Sequence, residues 1–192
     1  MSLKGLRIAY AVCGSHCTVS RSLSALRELV GSGAEIIPIV SEAVDKTDTR
    51  FGAARDIIAR IEEISGREVI RSIRDAEPLG PREPADLMII APCTGNTLSK
   101  IAAGITDTTV TMAAKAHLRQ DKPLLIALAT NDAMSQSLKG IATLLTRKSV
   151  YFLPMRQDDP VLKPYSLVAE LEGIPEAAEA ALRGIQLRPL FL

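Results

Sequence analysis

The chain has 192 residues, 47% of them hydrophobic, enough to bury one core and too few for two domains of ordinary size. Lys and Arg number 23 against 22 Asp and Glu, and aromatic residues make up 3%, so the sequence offers neither the basic surface nor the aromatic platform that nucleic acids select. The apolar run after Met1-Ser2-Leu3-Lys4-Gly5-Leu6-Arg7 is too short for a signal sequence or a membrane span, so a cytoplasmic protein is expected, and three cysteines point to reduced thiols.

In chain order, strand-length apolar runs occur at 8–12, 36–40, 87–90, 124–128 and 150–153, with a weak sixth, Glu68-Val69-Ile70. Their hydrophobicity is continuous rather than alternating, which implies a parallel sheet covered on both faces. After the first run, Leu23, Leu26, Leu29 and Val30 form the apolar face of a helix that ends near Gly31-Ser32-Gly33. After the second, Ile57, Ile58, Ile61 and Ile64 do the same before Gly66. Residues 71–86, with Pro78, Gly80, Pro81 and Pro84, read as an irregular surface loop. From Pro154 onward a proline-broken segment, a helix around 176–182 and a loose tail are expected. No linker or repeat divides the chain, so residues 1–192 form one domain with a C-terminal helical tail.

This order predicts a three-layer α/β domain with a doubly wound parallel sheet, Rossmann- or flavodoxin-like. Strands one and four lie side by side where the winding reverses, and ligands bind in that crevice at the carboxyl ends of the strands. The loops that meet there are Cys13-Gly14-Ser15-His16-Cys17-Thr18 and Pro92-Cys93-Thr94-Gly95-Asn96-Thr97. Small hydroxyl, amide and glycine residues crowd both, so short side chains and backbone N–H groups can hold a phosphate or a flat polar ring. Gly14-Ser15 either makes a turn or binds phosphate. Ser41 either caps the next helix or reaches the same phosphate. Asn131-Asp132, after the strand at 124–128, is a helix N-cap or part of the same edge.

Cys13, His16, Cys17 and Cys93 are the candidate metal ligands, but Cys-x-x-His-Cys is not a zinc spacing, and no metal is expected. Cys13 and Cys93 then read as small packing groups and His16 as a polar group at the pocket mouth. His117 reads as a surface residue near a helix C-terminus.

The stretch 91–107, Ala-Pro-Cys-Thr-Gly-Asn-Thr-Leu-Ser-Lys-Ile-Ala-Ala-Gly-Ile-Thr-Asp, resembles the Pro-Ala-Ser-Ala-Asn-Thr signature of the homo-oligomeric flavin-containing cysteine decarboxylase family and the residues that follow it. Thr130-Asn131-Asp132-Ala133-Met134 is similar to that family's Met-Asn-x-x-Met element. The resemblance implies a flavoprotein-like domain that binds flavin mononucleotide (FMN) through Gly14, Ser15, Ser41, Thr94, Gly95, Asn96 and Thr97, with Asn131 holding a substrate carboxylate. Two departures stand out. The family's catalytic His before the third main strand has no counterpart in 75–84, and its Gly-x-Gly-Arg-Met clamp is replaced by Lys163-Pro164-Tyr165-Ser166-Leu167-Val168-Ala169-Glu170, so cysteine decarboxylation is not expected.

A narrower resemblance, carried by the N-terminal five residues, Gly14-Ser15-His16-Cys17-Thr18, Thr47-Asp48-Thr49-Arg50-Phe51-Gly52, Ala76-Glu77-Pro78-Leu79-Gly80-Pro81 and Thr130-Asn131-Asp132-Ala133, is to the B subunits of dipicolinate synthases from sporulating bacilli. It implies a homo-oligomer, a trimer or a multiple of it, in the mother-cell cytoplasm. There the chain would work with a dehydrogenase-like A subunit that carries NAD(P), oxidising a dihydro- or tetrahydrodipicolinate-type precursor to dipicolinate. The expected roles are His16 and Asn131 as catalytic residues, and Arg50 and Asn131 as substrate-binding ones, with Lys163 a further candidate. Arg50 alternatively pairs with Asp48 at the surface. The alternative functions are a scaffold that has lost its flavin and a flavin-dependent decarboxylase with unfamiliar residues.

Overall fold

The computed structural model describes residues 3–80, 82 and 84–192. Met1 and Ser2 of the N-terminal run, and Pro81 and Glu83 of the expected 71–86 loop, lie outside the described residues.

The elements in chain order are β1 (Arg7–Val12), α1 (Val19–Gly31), β2 (Glu35–Val40), α2 (Glu42–Lys46), α3 (Ala54–Ser65), α4 (Ile73–Ala76), β3 (Leu87–Cys93), α5 (Gly95–Ala102), α6 (Thr109–Leu118), β4 (Leu124–Thr130), α7 (Ser137–Leu145), β5 (Val150–Phe152), β6 (Met155–Arg156), β7 (Leu167–Ala169) and α8 (Ile174–Leu182). The sheet runs β2-β1-β3-β4-β7-β6, with β5 also on β4. Strands β2, β1, β3, β4 and β5 are parallel to their neighbours. The chain therefore has the doubly wound α/β fold, but the first strand lies beside the run at 87–93 and not beside the fourth run at 124–128: β1 and β3, which lead into the two polar loops, are adjacent, and β4 pairs with β3 instead.

Continuous apolar strands meet cover on both faces: β3 is buried from end to end, and β1 is buried beyond Arg7. Helix α1 packs Val19, Leu23, Leu26 and Leu29 inward at the spacing of one helical face. Helix α3 does so with Ile57, Ile58 and Ile61 and stops at Gly66, whose φ of +66° is the left-handed cap that glycine takes without strain. Inside this apolar core Tyr10 is fully buried; its hydroxyl donates to Ser22, whose Oγ donates in turn to the Ala91 carbonyl, tying β1, α1 and β3 together.

Four further expectations need correction. The weak strand at 68–70 reduces to one parallel bridge, Ile39 to Ile70. The 71–86 segment is not irregular throughout: Ser72 caps α4 by accepting the Asp75 N–H, and Pro78 lies in the first turn of a 3-10 helix, where its missing N–H costs nothing. The segment after Pro154 forms the antiparallel strands β6 and β7, with β7 pairing along the upper end of β4 beyond β5. The tail is not loose. Backbone bonds join Met155 to Leu190 and Leu192, and the Gln186 amide donates to and accepts from Phe152, covering the free edge of β5.

The fourth of these is His117, which is 1% exposed, with ring Nε2 2.8 Å from the Pro123 carbonyl. Burial, opposed by that hydrogen bond, holds its pKa below the ordinary histidine value of about 6.5. The folded state thus binds fewer protons than the unfolded chain, and stability present above about pH 6.5 is lost as pH falls toward the lower folded value. His117→Gln keeps a donor for Pro123 without a titrating ring, so it should flatten this loss. Urea unfolding of both proteins at about pH 7.5 and about pH 5 checks it, and equal losses would contradict the assignment.

Candidate functional site

The two loops after β1 and β3 are bonded to each other. Cys13 N–H donates to the Pro92 carbonyl at 3.1 Å, and Thr97 Oγ1 donates to Cys13 Sγ at 3.5 Å. Thr94 caps α5: its Oγ1 accepts the Thr97 N–H at 3.2 Å and donates to Thr97 Oγ1. The N–H groups of Gly95 and Asn96, in the first turn, have no acceptor within the helix. No acidic residue occupies the first turn of α1 or α5.

The loop after β2 closes in from the other side. Ser41 N–H donates to Val12, and a side chain at Gly14 would come within 2.9 Å of Ala43 Cβ, which is why glycine stands there. Ser41 occupies the N-cap position of α2 but its Oγ makes no capping bond. Among the described residues that Oγ and His16 Nδ1, both buried, have no hydrogen-bond partner, a costly state unless a ligand completes them.

After β4, the turn at 130–137 is organised by Asp132, whose Oδ1 accepts from Thr130 Oγ1 at 2.5 Å and from Ser137 Oγ at 2.9 Å. The helix cap expected of Asn131-Asp132 is not made, because α7 starts only at Ser137. This oxygen cluster presses on Gly95, where an added Cβ would lie 2.7 Å from Ser137 Oγ, 2.7 Å from Thr130 Oγ1 and 2.8 Å from Asp132 Oδ1. Met134 N–H donates to the Tyr165 carbonyl, fixing the 157–166 connection between β6 and β7 beside the turn.

Together these segments enclose a cleft of about 530 Å³. Of the residues singled out from sequence, Gly14, Ser15, Cys17, Thr94, Gly95, Asn96, Asn131 and Lys163 line it. Thr97 stands behind Thr94 with its hydroxyl turned to Cys13, while Ser41 and His16 sit on the Gly14 side without lining the cleft. Arg50 is not brought there: its guanidinium lies 4.9 Å over the Phe51 ring, on a turn outside the cleft. Asp48 does not pair with it but accepts the Ala54 N–H at the start of α3.

Sequence reasoning missed Arg21, Ala129 and Asp158 in the lining, and gave no site role to Thr130 and Val168, which also line it. Arg21 carried a signal, since a cation in the first turn of a helix works against the helix dipole and asks for another reason to be there. It forms a bidentate pair with Glu172, Nε to Oε1 at 2.9 Å and Nη2 to Oε2 at 2.7 Å, which pulls the Glu172 carboxyl down to about 2. Burial would raise the Asp158 carboxyl, yet hydrogen bonds from Lys163 and Ser166 leave it below its ordinary range.

Among the described residues no group of three or more His, Cys, Asp or Glu converges to hold a metal. Burial pushes the Cys13 thiol up to about 11 and raises Cys93 as well, with Cys13 itself adding to the effect on Cys93, whereas Cys17 is exposed. A thiol titration of folded protein should therefore find one fast-reacting cysteine of the three, and elemental analysis no stoichiometric zinc. Two fast thiols, or one zinc per chain, would contradict this arrangement.

Among the described residues no helix is long and apolar enough to cross a membrane. The Flavoprotein family matches residues 1–176. The B subunit of dipicolinate synthase from Bacillus subtilis is 44% identical over 191 residues, covering 100% of this chain and 96% of the relative. The crystal structure of the corresponding B subunit from Bacillus halodurans superposes with a TM-score of 0.92 at 43% identity, over 100% of this chain and 98% of that one. The FMN-dependent cysteine decarboxylase SpaF superposes with a TM-score of 0.68 over 94% and 97% of the two chains; at 24% identity it shows the shared fold.

Proposed function

The chain belongs to the flavoprotein family, and on that premise we propose that it binds FMN in the crevice between β1 and β3 and serves as the B subunit of a dipicolinate synthase. The similarity over the full chain, in sequence and in structure, to B subunits of that enzyme carries the reading.

The residues present suit such a ligand. The orphaned Ser41 Oγ, the open N–H groups of Gly95 and Asn96 and the Gly14-Ser15 turn are donors placed where a phosphate and a flat ring meet helix starts. In this reading Gly14, Ser15 and Ser41 hold the phosphate, and Thr94, Gly95, Asn96 and Thr97 shape the wall against the ring. Flavin, when bound, supplies hydride acceptance, the chemistry needed to aromatise a partly reduced pyridine dicarboxylate. Asn131, exposed at the cleft with its amide unpaired among the described residues, orients the substrate, and His16 acts from the Gly14 side, next to the cleft wall.

The proposal extends to a homo-oligomer of threefold character and to a dehydrogenase-like A subunit carrying NAD(P), since the residues after β1 lack the Gly-x-Gly-x-x-Gly dinucleotide fingerprint. A scaffold role without flavin is favoured by one observation: the segment before β3, where related decarboxylases place their base, carries no His. Denaturing the purified protein and identifying released small molecules by mass spectrometry and absorbance separates the two, with FMN titration of stripped protein as the second arm. Released or rebound FMN supports the proposal; no flavin in either arm favours the scaffold.

A further inference from the structure

Among the described residues that line the cleft, Arg21 and Lys163 are the cationic side chains. They come from different elements, Arg21 from the first turn of α1 and Lys163 from the β6–β7 connection. Each is held by an acid: Arg21 by Glu172, just beyond β7, and Lys163 Nζ by Asp158 Oδ2 at 2.7 Å. Neither pair is buried, with side-chain exposures of 42% for Arg21 and 44% for Lys163. Ion pairs this open to solvent contribute little to folding, so neither cation needs its acid for the protein to stay folded. The pairs do fix where the charges sit. The Arg21 fork is already engaged in the two-pronged geometry that a free carboxylate would take.

From this placement we infer that Arg21 and Lys163 are the specificity-determining residues of the cleft, reading the two carboxylates of a planar dicarboxylate by exchanging Glu172 and Asp158 for the ligand. The inference rests on the proposed function for the ligand class and goes beyond it by naming what distinguishes a dicarboxylate from a monocarboxylate. At each point a weak, solvent-screened pair with an exposed acid is replaced by a charge-assisted bond to a carboxylate held in the cleft, and the acid, Glu172 or Asp158, is released toward water. A ligand that satisfies both cations gains over a ligand that leaves one of them with its protein acid. Arg50, outside the cleft, has no part in it.

The test is calorimetric titration of the full chain, with FMN present, against pyridine-2,6-dicarboxylate and pyridine-2-carboxylate. Wild type should prefer the dicarboxylate by roughly tenfold or more, the factor that one charge-assisted contact supplies. Arg21→Met and Lys163→Met should each bring the preference close to one while leaving melting temperature unchanged, and Arg21→Lys should retain part of it because charge survives and the fork does not. Lys148→Met, which breaks a surface ion pair with Asp121 outside the cleft, controls for the loss of a cation and should keep the full preference. If FMN binds and both cleft variants keep the wild-type preference, this inference is overturned and the proposed function stands. If wild type binds neither FMN nor either carboxylate, both are overturned.

Discussion

Gly95→Ala is expected to cost about 1–3 kcal/mol of stability, the usual range for overpacking a close contact, and to weaken FMN binding by tenfold or more. The added methyl would stand 2.7–2.8 Å from three oxygens that are already bonded to one another through Asp132. None of the three is the end of a long, compliant side chain, so the 130–137 turn must move away from the start of α5 and open the wall of the cleft. Thermal unfolding and FMN titration measure the two effects. Gly31→Ala is the control, because a Cβ at the end of α1 meets no atom within 4 Å, and it should leave FMN binding unchanged and cost no stability, with a gain of up to about 1 kcal/mol from helix propensity. Wild-type affinity and stability in Gly95→Ala would mean that the turn is not braced against α5.

Asn131→Ala should act in the opposite proportion. Its side chain is exposed at the cleft and makes no hydrogen bond among the described residues, so removing it should change stability by less than about 0.5 kcal/mol, as ordinary surface substitutions do. In enzyme reconstituted with the dehydrogenase-like partner, turnover should fall by about 10- to 100-fold, or about 1.4–2.8 kcal/mol of transition-state stabilisation. Steady-state kinetics beside a denaturation curve separates these outcomes. Unchanged turnover would remove Asn131 from the site.

The parallel core was legible in the sequence because a strand buried on both faces must be apolar at every position, and 8–12, 36–40 and 124–128 are such runs. The switch-point loops were legible for the same reason, since polar glycine-containing residues following such runs stand out against them. What was missed depends on contacts remote in sequence. Strands β6 and β7 span two and three residues, too short to show any period, and exist because the upper end of β4 offers β7 an edge. Arg21 meets Glu172 across 151 positions, and no local pattern signals that pairing. His117 fits the rule for a helix C-terminus, but α6 is buried along most of its length and the ring goes inward to Pro123. Arg50 lies in a polar segment of a resemblance motif, and its separation from the cleft is set by a turn between Thr49 and Gly52 that closes on itself.

The most direct test of the proposed function is dipicolinate formation from a dihydro- or hydroxytetrahydrodipicolinate precursor, followed by ultraviolet absorbance, with this chain alone, the dehydrogenase-like partner alone, and both together. Little or no product is expected from either protein alone, and sustained synthesis from the pair. Full activity from the dehydrogenase-like protein alone at matched concentration would contradict the proposed role of this chain.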